Sequence, residues 1–146
     1  MSDATIHAGA VVTGATAVLI LGASGSGKSR LALALLDAAT AGLLPFARLV
    51  ADDRALLEGR NGRLLVRPAP ALAGLIELRG VGLLRFPHEP VAQVGLAVML
   101  GETGDRLPET NAFWVHDVKI PYLGCPPGVD PLPLLLGRLR GDAAAN

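Results

Sequence analysis

Eight consecutive residues constrain this chain more than any others. Gly22-Ala23-Ser24-Gly25-Ser26-Gly27-Lys28-Ser29 match G-x-x-x-x-G-K-[ST] at every fixed position. Their setting matches too: AVLIL (17–21) reads as a short strand, and KSRLALALLDAA (28–39) is a run of strong helix formers. Glycines let such a loop curl until successive N–H groups point inward at an anion, and the helix behind it adds the positive end of its dipole. Within that frame Lys28 reaches the β- and γ-phosphates of a bound ATP, and the Ser29 hydroxyl is placed to ligate Mg²⁺.

The rest of the chain reads as strands around this unit. TIHAGAVV (5–12) reads as a strand joined to 17–21 by a turn at Thr13-Gly14. In the helix, Leu31, Leu35 and Leu36 can share a face, and Gly42 and Pro45 end it. RLVA (48–51) is a short apolar run leading to Asp52-Asp53, and RALLE and RLLVR flank a hairpin centred on Asn61-Gly62. LIEL (75–78) and GLLRF (82–86) bracket Arg79-Gly80, and QVGLAVML (93–100) is a further strand. From Gly101 the chain reads as proline-rich loop, ending in a short Leu/Arg helix near 132–140. Strands outnumber helices, so the expectation is a single α/β domain over 1–146 with a mixed β-sheet rather than a regular βαβ array.

Composition narrows the partners. Hydrophobic residues are 51% against 18% charged, which excludes disorder, and 3% aromatics make the core aliphatic. Thirteen basic and thirteen acidic residues cancel to a net charge of +0, so no field draws nucleic acid or an anionic membrane surface. The most apolar stretch, 31–50, is interrupted by Asp37, Gly42, Pro45 and Arg48, short of the roughly 20 apolar residues of a membrane span. One cysteine, Cys125, allows no internal disulfide, and the N-terminus has no basic region ahead of an apolar run. A cytoplasmic protein is expected.

Phosphoryl transfer also needs a group that orients or deprotonates the attacking hydroxyl, and an acidic partner for the metal. Asp52 and Asp53, just past a strand, can converge on a bound phosphate. Mutual repulsion would raise one of their pKa values and make a usable base, although an acidic turn alone gives the same pattern. Glu77 in an apolar strand either binds a metal, faces solvent or pairs with Arg79. His7 and Arg106 read from pattern alone as a structural histidine and a solvated loop arginine. His88, His116 and Cys125 have no ligand spacing, and Arg138 with Arg140 reads as a solvated helix face.

The order of these pieces resembles the catalytic domain of HPr kinase/phosphorylase: a histidine before a strand, LILGASGSGKSRLAL, RLVADDR, LIELRGVGLLRF, then DRLPE, from about Ile6 to about Leu123. The resemblance implies transfer of the γ-phosphoryl of ATP to a serine of HPr, the phosphocarrier of the sugar phosphotransferase system, and in many members its reversal by inorganic phosphate. It implies Asp53 as proton acceptor, Lys28 on the phosphates, Ser29 and Glu77 as Mg²⁺ ligands, His7 and Arg106 at further catalytic positions, and Asp52 tuning the base. It also implies a fold related to phosphoenolpyruvate carboxykinase and a homo-oligomer, hexameric in the family. The P-loop begins at residue 22, which resembles a short, single-domain form. VKIPYLGCPPGVDPLP lacks the family's glycine-arginine-asparagine segment, so weak or absent phosphorylase activity is expected, and Arg30 stands where an acidic residue is frequent. Two other readings stay open: a small-molecule P-loop kinase, though no arginine-rich lid follows the helix, and a non-catalytic nucleotide-binding module, which would need none of His7, Asp53, Glu77 or Arg106.

Overall fold

A computed structural model describes residues 5–102 and 112–141. The chain opens with two short strands, β1 (Thr5–Ile6) and β2 (Gly9–Val12), followed by β3 (Ala17–Leu21), helix α1 (Lys28–Thr40) and β4 (Arg48–Ala51). The hairpin of β5 (Ala55–Arg60) and β6 (Arg63–Pro68) turns at Asn61-Gly62, as its sequence predicts. Next come β7 (Leu75–Leu78) and β8 (Gly82–Arg85), then β9 (Ala92–Leu100), β10 (Ala112–Val115), β11 (Val118–Cys125) and α2 (Pro131–Arg140).

Nine of these strands form one mixed sheet. Its main path runs β1-β5-β6-β9-β3-β2-β4, while β7 and β8 pair apart as a two-stranded hairpin. Strands β3 and β9 run parallel at the centre, with Leu19 opposite Ala97 and Ile20 opposite Val98. All five residues of β3 are buried, the mark of a strand covered on both faces. Val18 and Ile20 face the layer that holds α1 and α2, whereas Ala17, Leu19 and Leu21 face the layer built with β5, β6 and β11. Helix α1 lays Leu31, Ala32, Leu35 and Ala38 on the sheet, and Leu36 packs at the margin. Among the described residues, no helix is long and apolar enough to cross a membrane.

Two segments depart from the sequence reading. The run at 5–12 is not one strand but two: β1 pairs with β5 at one edge, and β2 pairs with β3 and β4. At the break, the Ala8 amide donates to the Asp53 carbonyl at 3.2 Å, which leaves His7 beside the end of β4. The region beyond Gly101 is also not all loop. Val118, Ile120 and Tyr122 alternate inward along β11, a period-two signal that Pro121 obscures. Residues 118–121 pair antiparallel with β10, and residues 122–125 pair parallel with β9. Pro121 therefore falls where the strand changes partners.

Candidate active site

The phosphate loop joins the end of β3 to the start of α1, at the C-terminal end of the parallel pair. Gly22 is required by space: a Cβ there would lie 2.5 Å from Ser26 Oγ and 3.1 Å from Leu100 Cβ. Gly27 is required by conformation, since it begins α1 at φ 103°. Among the described residues no side chain caps α1, and its first turn carries no acid. Ser26 Oγ is buried without a hydrogen-bond partner among the described residues. Lys28 is only 8% exposed, and its Nζ donates to the Gly22 and Ala23 carbonyls at 2.9 and 3.0 Å. Uncapped amides, an orphaned hydroxyl and a held ammonium on one loop fit a polyphosphate.

The two aspartates separate at the end of β4. Asp52 turns inward and is 4% exposed, with Ser29 Oγ donating to its Oδ1 and Oδ2 at 2.9 Å each. The Glu77 backbone N–H donates to Asp52 Oδ2 at 3.3 Å. Burial pushes the Asp52 carboxyl above its usual range, while the hydrogen bonds from Ser29 and Glu77 oppose that rise; the charge of Asp53 is a lesser cause in the same direction as burial. Asp53 sits at φ 70°, a left-handed conformation that aspartate tolerates better than most residues, and this swings its side chain outward. There Asp53 Oδ1 lies 3.8 Å from His7 Nδ1, with both side chains more than half exposed.

Glu77, exposed on β7, lines the same cleft of about 620 Å³ as residues 24–30, Asp52 and Asp53. It makes no ion pair with Arg79 or any other described residue. Arg79 instead lines the cleft itself, as does Arg30. Nothing in the sequence ranked these two above the other arginines; a hairpin turn beside the loop brings in the first, and helical position the second. Among the described residues, no three His, Cys, Asp or Glu converge closely enough to hold a metal without further ligands. A hard cation fits here only if phosphate oxygens complete its shell, which is the usual manner of Mg²⁺.

Other singled-out residues stand elsewhere. His88 and His116 are not in this cleft, and Cys125 is buried, its thiol pushed up by burial and turned toward the Pro126 and Val129 carbonyls. Arg106 lies outside the described residues.

The family described as HPr Serine kinase C-terminal domain matches residues 1–89. HPr kinase/phosphorylase of Xylella fastidiosa (strain 9a5c) is 33% identical over 144 residues, 98% of this chain and 38% of that protein. The enzyme of Streptococcus thermophilus (strain CNRZ 1066) is 36% identical over 123 residues, 75% of this chain and 38% of that protein. The chain thus spans well under half the length of these curated relatives. The solved structure of the Hpr(Ser) kinase/phosphatase from Coxiella burnetii matches with a TM-score of 0.72 and 28% identity, covering 93% of each chain. Sequence and fold agree, and the chain belongs to the HPr serine kinase C-terminal domain family.

Proposed function

We propose that this domain is an ATP- and Mg²⁺-dependent protein serine kinase acting on an HPr-type phosphocarrier. The observation that carries the proposal is the meeting of three parts in one cleft. These are a phosphate loop with its lysine, a buried Asp52 bonded to Ser29, and an outward Asp53 beside His7.

In the proposed reaction the serine oxygen of the carrier bonds to the γ-phosphorus, and the bond from that phosphorus to the bridging oxygen of ADP breaks. Asp53 takes the hydroxyl proton. Its exposure leaves room for a protein substrate to bring a serine to it. Lys28 and the loop amides stabilise charge on the transferring group. A Mg²⁺ held by Ser29 and Glu77 would neutralise the β- and γ-phosphates. Asp52 acts through Ser29: accepting the hydroxyl proton in a hydrogen bond leaves the Ser29 lone pairs for a cation. His7 positions Asp53, and Arg106 completes the set by motif position. Phosphorylase activity is weak or absent in this reading, because VKIPYLGCPPGVDPLP forms strand β11 and the turn into α2 without a glycine-arginine-asparagine segment. A cytoplasmic homo-oligomer and kinship with phosphoenolpyruvate carboxykinase belong to the same proposal.

Incubation with γ-labelled ATP, Mg²⁺ and HPr from the same organism tests it. Label on the HPr serine is expected. Label on a metabolite would indicate a small-molecule kinase, and nucleotide binding without turnover a regulatory module.

A further inference from the structure

The β7–β8 hairpin carries Glu77 but pairs with no described strand of the large sheet. Its place beside β4 therefore depends on side chains and on the segment that leaves it. One tie is the bond from the Glu77 amide to Asp52 Oδ2 at 3.3 Å. A second tie lies three residues earlier on both strands, at Gly74 and Leu49, roughly 10 Å away along an extended chain. The segment Phe86-Pro87-His88-Glu89-Pro90 links those two residues. The Phe86 amide donates to the Gly74 carbonyl at 2.8 Å, His88 bridges to Leu49 in parallel, and the Glu89 amide donates to the Leu49 carbonyl at 2.8 Å. Prolines at 87 and 90 restrict the backbone on either side of His88 and Glu89.

The His88 ring fills this second tie. A Cβ on Gly74 would lie 2.7 Å from its Nδ1 and 3.1 Å from its Cε1, so the imidazole takes the space that a side chain at 74 would need. Gly74 also sits at φ 79°, a conformation that suits glycine. The half-buried ring makes no hydrogen bond or ion pair among the described residues, so it acts by shape. The neighbouring ion pair of Arg48 with Glu89, at 3.3 Å, is open to solvent on both sides and adds little. Ile76 is buried in the layer with α1 and keeps the hairpin attached, but apolar burial is non-directional and sets no register.

We infer that His88 is a positioning residue for Glu77, an inference that rests on the kinase reading of the cleft. Seated against Gly74, its ring holds the start of β7 at a fixed distance from β4, while Asp52 holds the strand three residues on. Ties at two points fix the direction of β7 as well as its distance. A carboxylate serves a phosphate-bound Mg²⁺ only from a defined place, because that ion demands near-ideal geometry. With the Gly74 end released, β7 pivots on the bond between Asp52 and Glu77, and the Glu77 carboxylate loses its aim.

Amide exchange and calorimetry on the whole chain test this. His88→Ala is expected to speed exchange at the Glu77 amide by about tenfold or more, with the β3 amides unchanged. It is also expected to cut, by about fivefold or more, the factor by which Mg²⁺ tightens ATP, while metal-free ATP affinity changes by less than about twofold. His88→Phe, which restores a ring, is expected to recover both readouts. Gly74→Ala, which drives a methyl into the ring, is expected to reproduce both losses. Parental values for either readout in His88→Ala, an equal loss of ATP affinity with and without Mg²⁺, or a His88→Phe that behaves like His88→Ala would overturn the role of His88. A Glu77→Gln variant that keeps the full Mg²⁺ gain would instead overturn the metal role of Glu77 beneath it.

Discussion

Ser29 donates one hydroxyl hydrogen between the two oxygens of Asp52, 2.9 Å from each, and so ties the first turn of α1 to the end of β4. The same carboxylate accepts from the Glu77 amide, so one buried aspartate holds three elements of the site in register. Nothing else in the cleft connects the loop, β4 and β7 through a single side chain among the described residues.

That carboxylate costs stability in exchange for position. Its pKa is raised in the folded state, chiefly by burial, so the folded form favours the protonated acid. The stabilising share of this group is present below the unfolded carboxylate range and is lost as the pH rises through the raised folded value. Asp52→Asn keeps an acceptor for the Glu77 amide and removes the buried charge. It is expected to raise the Tm at pH 7, with the advantage shrinking below about pH 4, while slowing phosphoryl transfer. Thermal melts of both proteins from pH 3 to 8 measure the difference; a variant less stable than the parent at pH 7 would contradict it.

Among the described residues Lys28 Nζ bonds to two loop carbonyls and nothing else, so its removal should spare the fold and damage the chemistry. Lys28→Met is expected to lower kcat by on the order of 10²–10³, the usual cost of losing one preorganised donor to transition-state charge. Steady-state kinetics alongside circular dichroism separates that loss from unfolding.

Gly22→Ala brings a methyl to 2.5 Å from Ser26 Oγ and 3.3 Å from the Leu100 carbonyl. Overpacking of this kind costs about 1–3 kcal/mol. Urea unfolding should show that loss with an unchanged slope, since the exposed surface on unfolding is the same.

Leu35 is fully buried between α1 and the sheet. Leu35→Ala is expected to cost about 2–5 kcal/mol through lost burial and the cavity left behind. Because Leu35 does not line the cleft that holds the phosphate loop, ATP affinity of the folded variant should match the parent below its melting range.

The strand–loop–helix core was legible because its signals are local: eight fixed positions, an apolar strand before them, and helix formers after them. The β5–β6 hairpin was legible from Asn61-Gly62 for the same reason. Strand β11 was not, because Pro121 breaks the apparent alternation where the strand passes from β10 to β9. In the site, pattern alone found both aspartates but could not tell them apart. Their separation depends on the left-handed turn at Asp53 and on Ala8 bonding to its carbonyl, which is tertiary information. The pairing of His7 with Asp53 depends on the break between β1 and β2, where the sequence reads as one continuous strand.

The central claim is that Asp53 receives the proton of the attacking serine. Asp53→Asn keeps the shape and the left-handed preference of the residue while removing its basicity. Measured together, label transfer from γ-labelled ATP to HPr should fall by about 10² or more, a typical contribution of general-base catalysis, while calorimetric ATP affinity changes by less than about twofold. Transfer at a near-parental rate in that variant would contradict the account.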